Sequence, residues 1–249
     1  MNQLIIEQLN KLEAQKQIKI LYACESGSRA WGFPSIDSDY DIRFIYAHPT
    51  DWYLTLKEKE DTIEIPINNE LDIGGWELKK ALGLMWKSNA PLLEWIQSPI
   101  VYKKEDAFLI EMQQLGEECF SAIAVMYHYL SMSKKYVEIC SSREQVKLKH
   151  YFYALRSTIA GKWIREQQTM PPIEFQNMLN LLDDSLHNKI TDLVELKSRT
   201  DESYLHFREP QIDEFLIHTI QESERMAKEL NQANVDINKL DLFFRKWIS

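Results

Sequence analysis

The feature that most constrains this chain is the stretch from residue 25 to residue 41, which reads ESGSRAWGFPSIDSDYD. An apolar run, Ile18 to Ala23, precedes its glycine–serine pair, and a second apolar run, Ile42 to Ala47, follows its last aspartate. This order predicts a strand, a tight turn into a short helix, a loop and a second strand. We therefore interpret the rest of the chain around this strand–turn–strand unit.

Two aspartates, Asp39 and Asp41, alternate at the start of the second strand, which is predicted to run from residue 39 to 47. Strand side chains alternate between faces, so both acids are expected on one face. Two neighbouring carboxylates repel each other unless a cation lies between them, and Mg²⁺ prefers oxygen ligands. Arg43 is expected on the same face, where it would either neutralise the acids in the absence of metal or contact a phosphate.

The turn before these acids is a candidate anion site. Gly27 permits a backbone turn that a side chain would obstruct. Ser28 and Arg29 would open a short helix whose free backbone N–H groups suit an anion. Arg29 either adds positive charge there or caps a neighbouring carboxylate.

Other patterns in the first hundred residues predict elements around this unit. Residues 2–16 have the apolar spacing of an amphipathic helix that packs on the sheet. Two further strands are predicted at 62–67 and 70–73, with Asn68-Asn69 as a tight hairpin turn. Gly74-Gly75 is expected to turn the chain out of the strand, into a helix over residues 76–88.

The pattern of apolar and polar residues changes near residue 104, after which no clear strand pattern appears. Prolines punctuate a series of predicted helices. These helices cover 104–117, 119–140, 143–168, 173–181, 185–198, 211–231 and 236–247. The chain is therefore predicted to be α+β, with a small mixed-sheet domain over 1–103 and an all-helical domain over 104–249.

Within the helical half, Lys149, Tyr153 and Arg156 recur at spacings of four and three residues, so they share one helix face. Such a face can hold phosphates and stack against a base or ribose. By spacing alone, a solvated basic face with Tyr153 half-buried is the favoured interpretation.

Composition limits the partners and the compartment. The 249 residues carry a net charge of −9, which argues against broad nucleic-acid binding but leaves room for a local basic cleft. No apolar run approaches the length of a membrane span, and the N-terminus lacks a signal-peptide pattern. Cys24, Cys119 and Cys140 are expected to be reduced thiols in a cytoplasmic protein.

The glycine–serine pair, the ten-residue spacer and the Asp-x-Asp pair resemble the signature of the DNA polymerase β-type nucleotidyltransferase superfamily. The wider match, ESGSRAWG with SDYDIR, resembles the branch of predicted nucleotidyltransferases associated with RNA repair. The run Lys-x-x-x-Tyr-x-x-Arg from residue 149 to 156 is similar to a helix of the same branch. With that similarity included, two interpretations of this helix stay open: a nucleotide-binding face and a solvated basic face.

The resemblance implies roles for individual residues. Asp72, between two apolar residues, matches the third metal-binding carboxylate of the superfamily. The resemblance implies two Mg²⁺ ions, or Mn²⁺ in their place, with Asp39 and Asp41 as ligands of both and Asp72 as a ligand of the ion that activates the acceptor hydroxyl. The nucleoside triphosphate would be bound by residues of the turn, the second strand and the later helix, namely Gly27, Ser28, Arg29, Arg43, Lys149, Tyr153 and Arg156.

The function expected from these motifs is transfer of a nucleoside monophosphate, from ATP or another nucleoside triphosphate, to an acceptor hydroxyl with release of pyrophosphate. An RNA end is the favoured acceptor and a protein hydroxyl the alternative; no membrane partner is expected. A non-catalytic nucleotide- or partner-binding regulatory module is the second class of function. The sequence contains no His-x-x-x-His pair, Gly-x-Ser-x-Gly or Walker A loop, which argues against a zinc hydrolase, a serine hydrolase and a P-loop enzyme.

Overall fold

The structure is a computed structural model that describes residues 1–68, 70–233 and 235–248, with the side chains of 66–68 excepted. Its elements up to residue 119 are α1 (Asn2–Lys16), β1 (Lys19–Glu25), α2 (Gly27–Trp31), β2 (Tyr40–Ala47), α3 (Thr50–Tyr53), β3 (Thr62–Asn68), β4 (Leu71–Glu77), α4 (Leu78–Trp86), α5 (Ala90–Trp95), β5 (Val101–Lys104) and α6 (Asp106–Cys119).

The later elements are mostly helical, as the sequence predicts. They are α7 (Ala122–Ser141), β6 (Gln145–Lys147), α8 (Leu148–Gln167), a 3₁₀ helix (Phe175–Leu181), α9 (Asp184–Ser198), β7 (Leu205–Phe207), α10 (Pro210–Met226), a second 3₁₀ helix (Ala227–Glu229) and α11 (Ile237–Ile248).

By its contacts the chain forms two compact units. Unit 1 comprises Met1–Ala30, Asp39–Cys119 and Asn234–Ser249, and unit 2 comprises Trp31–Ser38 and Phe120–Ala233. The boundary predicted near residue 104 falls within unit 1. The division into domains at that residue stays a prediction.

The sheet of unit 1 has five strands in the order β3-β4-β2-β1-β5. β2 and β4 run parallel, and the other neighbouring pairs are antiparallel. Because the loop, α3 and β3 intervene between β2 and β4, their pairing joins segments that are distant in sequence. This mixed sheet confirms the predicted α+β class.

The helix α1 packs on one face of this sheet, as its apolar spacing predicts. Ile5, Leu9 and Leu12 of α1 are buried with Ile42 and Phe44 of β2 in one cluster. These two β2 residues alternate with Asp41 and Arg43, which therefore project from the opposite face. Packing of α1 thus leaves the polar side chains of β2 on the face of the sheet where the candidate site lies.

β4 is longer than predicted. Gly74 and Gly75 pair with Arg43 and Phe44 of β2 instead of turning the chain away, and Trp76 is the sixth residue of the strand, so it does not start a helix. The predictions for these residues were wrong because strand pairing outweighs the intrinsic flexibility of glycine. The predicted Asn68-Asn69 turn lies outside the described residues at Asn69.

Unit 2 is built on α8, which contacts α7, α10 and the first 3₁₀ helix. Its helical character agrees with the sequence prediction, but the predicted helix 143–168 begins later because Gln145–Lys147 pairs with Leu205–Phe207 in a two-stranded antiparallel sheet. The segment 31–38, part of the motif spacer, packs in this unit: Phe33 is 2% exposed and lies against the rings of Phe152 and Phe175.

No helix in the described part of the chain is long and apolar enough to cross a membrane. Cys24, Cys119 and Cys140 are free and buried. Burial raises the pKa of Cys24 to about 12, and the pKa of each of the other two thiols to about 11, so all three are poor nucleophiles at neutral pH.

Candidate active site

The parallel pairing of β2 and β4 places Asp41 directly beside Asp72. Arg43, two residues along β2, lies on the same face and contacts both acids. Its Nη2 is 2.6 Å from Oδ2 of Asp72 and 3.4 Å from Oδ1 of Asp41. Its Nη1 also donates to the carbonyl of Asp72, at 3.0 Å. The guanidinium therefore neutralises both carboxylates, which is one of the two roles expected for Arg43; contact with a phosphate stays a prediction.

Gly27 lies against the carboxylate of Asp41. Its backbone has φ of +62°, and a Cβ added there would lie 2.0 Å from Oδ2 of Asp41. Ser26 connects the same two segments, because its N–H donates to the carbonyl of Asp41 at 2.8 Å. A glycine is thus required at residue 27 both for its conformation and for the close approach of the carboxylate.

The residues that flank this contact are more exposed. Asp39 lies one residue before β2 and is exposed. Arg29 is partly exposed: its Nε donates to the Asp39 carbonyl at 3.1 Å, and its guanidinium carbon lies 3.8 Å from the centre of the Tyr40 ring. Ser28 is the second residue of α2 and is partly exposed.

Glu25, the last residue of β1, is a site residue that the motif pattern does not identify. It is fully buried, its Oε1 accepts the N–H of Asp41 at 2.8 Å, and its Oε2 accepts the hydroxyl of Tyr102 from β5. Burial raises the pKa of the Glu25 carboxyl above its ordinary value, and these two hydrogen bonds oppose that rise. Glu25 thus fixes the backbone of the residue that carries the central carboxylate.

Glu25 is the first residue of the motif over 25–41, and this position could have marked it as a candidate site residue. Its function could not be derived from that signal because Tyr102 and Ser98, whose Oγ donates to the Glu25 carbonyl at 2.7 Å, are more than seventy residues away.

A divalent cation was expected between the carboxylates, and the side chains present can be compared with that expectation. Asp41 and Asp72 supply oxygen donors on neighbouring strands, and the Arg43 guanidinium already occupies the place of a cation between them. Among the described residues, no three aspartate, glutamate, histidine or cysteine side chains converge closely enough to hold a metal ion. The oxygen donors of Asp41 and Asp72 are of the kind that Mg²⁺ prefers, and binding of the ion between them would require Arg43 to move away.

The other predicted nucleotide-binding residues are in unit 2. Arg156 is 3% exposed, and its guanidinium carbon lies 4.2 Å from the ring centre of Trp31. Tyr153 meets the same indole edge-on, with ring centres 5.6 Å apart. Lys149 forms an ion pair with Glu202. A solvated basic face is therefore wrong for Arg156, because its guanidinium is buried. Binding of a nucleotide by these three residues stays a prediction.

The mixed sheet, the glycine turn against Asp41 and the Asp41–Asp72 pair agree with the polymerase β-type nucleotidyltransferase class that the motifs predict. The sequence matches the family described as "RNA repair pathway DNA polymerase beta family" over residues 1–246, and the chain belongs to that family. The resemblance inferred from the motifs is thereby confirmed.

Two further comparisons place the chain among known proteins. It is 42% identical over 239 residues to the "uncharacterized protein YcgL" of Bacillus subtilis (strain 168), covering 95% of this chain and 92% of that one. A crystal structure of a nucleotidyltransferase-like protein from Exiguobacterium sibiricum 255-15 aligns with a TM-score of 0.32 and 10% identity, over 90% of this chain and 75% of that chain. A structural similarity this low carries no argument about function.

Proposed function

We propose that this protein transfers a nucleoside monophosphate from a nucleoside triphosphate to an acceptor hydroxyl, with an RNA end as the favoured acceptor. The acceptor oxygen forms a bond to the α-phosphorus, the bond from that phosphorus to the oxygen bridging to the β-phosphate breaks, and pyrophosphate leaves. The hydroxyl proton passes to the Asp72 carboxylate and from there to water.

The observation that carries this proposal is the direct pairing of Asp41 with Asp72, with Gly27 packed against Asp41. Strand pairing holds these two carboxylates side by side, and their repulsion destabilises the fold unless a positive charge lies near them. In this protein Arg43 supplies that positive charge. Family membership supports the reaction class, and the association of the family with RNA repair supports RNA as the acceptor.

The residues then have the following roles in the proposal. Asp39, Asp41 and Asp72 would hold Mg²⁺, or Mn²⁺ in its place, and the bound ion would neutralise negative charge of the triphosphate. The turn at Gly27 and Ser28 approaches the terminal phosphates, and Arg29 adds positive charge beside them. Arg43 would contact a phosphate oxygen of the triphosphate.

The experiment that tests this function is incubation of the purified protein with each α-labelled nucleoside triphosphate, Mg²⁺ or Mn²⁺, and pooled small RNA. Asp41→Asn and Asp72→Asn keep the side-chain shape and remove the charge. We expect label on RNA with the wild-type protein and at least a 100-fold loss in either variant. Asp51→Asn, in the separate helix α3, is the matched control and should leave labelling unchanged.

Other outcomes decide between the alternatives. Label on protein in place of RNA would identify a protein hydroxyl as the acceptor. Nucleotide binding that survives Asp72→Asn, with no labelled product in either protein, would contradict an enzyme and favour a nucleotide-binding regulatory module.

A further inference from the structure

A cavity of 650 Å³ opens on the polar face of the sheet beside Asp72. Asp72 and Arg43 line one part of it, and Gly74, Gly75, Trp76 and Trp95 line the rest together with residues 62–65 of β3. Its volume lies within the range of about 300–1,000 Å³ that is typical of sites for small molecules. The cavity is therefore large enough for a group the size of a nucleoside, and it includes one of the proposed catalytic carboxylates.

Two indole rings form an aromatic platform in this cavity. Trp76 and Trp95 stack with ring centres 3.9 Å apart and planes inclined by 24°. Trp95 is buried and belongs to α5, whose position is fixed by a hydrogen bond from the Tyr22 hydroxyl to the Trp95 carbonyl at 2.7 Å. Trp76 is only partly buried. Trp95 thus supports Trp76 in a fixed orientation, which lowers the entropic cost of stacking a ligand on it.

Gly74 leaves open space in the cavity between the Asp72 carboxylate and the aromatic platform. Asp72, Gly74 and Trp76 alternate along β4, so all three project from the same face of the sheet. A Cβ added at Gly74 would have Nη1 of Arg43 as its nearest neighbour, at 3.6 Å. The position can therefore accept a side chain without a clash, and its absence leaves room for a ligand between Asp72 and Trp76.

The charge of the cavity suits a nucleoside better than a polyphosphate. The charged residues that line it are Asp72, Glu64 and Arg43, and Arg43 is paired with the carboxylates. An excess of carboxylates disfavours a chain of phosphates, whereas an aromatic surface binds any base through its π-face. Base stacking on protein side chains requires an unpaired base, as at a single-stranded RNA end.

We propose that this cavity binds the acceptor: an unpaired base at an RNA end stacks on Trp76, and its terminal hydroxyl lies at Asp72. The assignment rests on the proposed function, since Asp72 is the carboxylate that receives the hydroxyl proton. It makes Trp76 a substrate-binding residue and assigns the acceptor to the β3–β4 side of the site.

The test measures binding of a fluorescein-labelled single-stranded oligoribonucleotide to the full-length protein by anisotropy, without nucleotide. We expect Trp76→Ala to weaken RNA binding roughly 5- to 150-fold, the range measured for the loss of one stacked base. Trp76→Phe should restore part of the affinity. The matched control is Trp86→Ala, which removes an indole that is 48% exposed on α4 and should leave binding unchanged.

A second ligand keeps the test independent of any folding defect in the variant. An oligoribonucleotide with an abasic terminal residue should bind wild-type protein about as weakly as the intact RNA binds Trp76→Ala. The two RNAs should then bind Trp76→Ala equally, since the variant lacks the stacking partner. Equal binding of both RNAs to wild-type protein would overturn the proposal.

Nucleoside triphosphate binding, measured by calorimetry, separates this proposal from the proposed function. We expect Trp76→Ala to bind the triphosphate like the wild type. A loss of triphosphate affinity in this variant would show that the cavity holds the nucleotide and not the acceptor. Transfer of label to protein, with no RNA binding, would overturn the RNA acceptor and leave nucleotidyl transfer intact.

Discussion

Gly27 and Gly32 are the two glycines of the motif, and both have positive φ, of +62° and +86°. They differ in their surroundings. A Cβ on Gly27 would collide with the carboxylate of Asp41, whereas nothing lies within 4 Å of a Cβ on Gly32. Substitutions at these two glycines therefore separate the free-energy cost of backbone strain from the effect of displacing a proposed catalytic carboxylate.

We expect Gly27→Ala and Gly32→Ala each to lower the free energy of unfolding by about 1–2 kcal/mol, because both force alanine into the left-handed region. Only Gly27→Ala should also lower nucleotidyl transfer, by at least tenfold, since Asp41 must move. Urea denaturation and the labelling assay measure the two effects. Equal activity in the two variants would contradict the role given to Gly27.

Arg43 competes with any cation for the two carboxylates it bridges. We expect Arg43→Gln to bind Mg²⁺ at least about tenfold more tightly than the wild type in the absence of nucleotide, because the variant removes a positive charge about 3 Å from the acids. Calorimetric titration with MgCl₂ measures this change. Lys80→Gln, which breaks the ion pair with Asp61, is the control. Mg²⁺ binding by Arg43→Gln that is no tighter than binding by this control would contradict the competition.

At the scale of the element, the consecutive glycines of β4, Gly74 and Gly75, face opposite sides of the sheet. Gly75 lies beneath the ring of Phe44, and a Cβ there would be 2.2 Å from the Phe44 Cε2. Gly74 projects into the cavity on the other face. The strand therefore needs a glycine at residue 75 for core packing and at residue 74 for an open cavity.

We expect Gly75→Ala to lower the free energy of unfolding by about 1–3 kcal/mol, because the buried Phe44 must shift in a packed core. Gly74→Ala should leave stability unchanged or raise it by up to about 1 kcal/mol, since its Cβ meets only ordinary contacts and alanine is favoured over glycine in a strand. Chemical denaturation of both variants tests the difference. Equal destabilisation would show that β4 is not held as described.

At the scale of the whole molecule, the motif spacer is shared between the two units. Arg29 and Asp39 belong to unit 1, while the residues between Ala30 and Asp39 belong to unit 2. Within unit 2 the spacer is anchored by Lys197, which is 2% exposed and donates to Oγ of Ser35 at 2.8 Å. Burial lowers the pKa of Lys197 to about 8, and the nearby Glu202 carboxylate opposes this shift.

This buried lysine predicts a pH dependence of stability. Between pH 8 and 10.5 the unfolded chain retains the Lys197 proton that the folded protein has lost, so stability rises with pH over this window. We expect the wild type to gain up to about 3 kcal/mol relative to Lys197→Met between these limits. Thermal or urea unfolding at several pH values measures the difference.

Lys162→Met is the matched control, because Lys162 forms an ion pair with Glu166 on the surface of α8. Its stability should follow the wild-type curve over the same pH range. A Lys197→Met curve parallel to that of the wild type would show that Lys197 keeps an ordinary pKa.

Most of the local structure around the motif was predictable from the sequence. The apolar spacing of α1, the two strands that flank the motif and the helical second half all match the structure within a few residues. Such elements follow from the periodicity of neighbouring residues, which is a local property. The short strands β5, β6 and β7 were missed because each has four residues or fewer and is stabilised by pairing with a distant segment.

The sequence by itself determined which residue types are present for the chemistry: a glycine turn, alternating carboxylates on a strand and a third carboxylate further along the chain. The tertiary structure decided which of them meet. Parallel pairing of β2 with β4 brings Asp72 to Asp41 and Arg43. Packing between β1, β2 and β5 buries Glu25 beneath the site, and packing of α5 stacks Trp95 on Trp76. These contacts depend on strand register and on the burial of distant apolar surfaces, which no local pattern specifies.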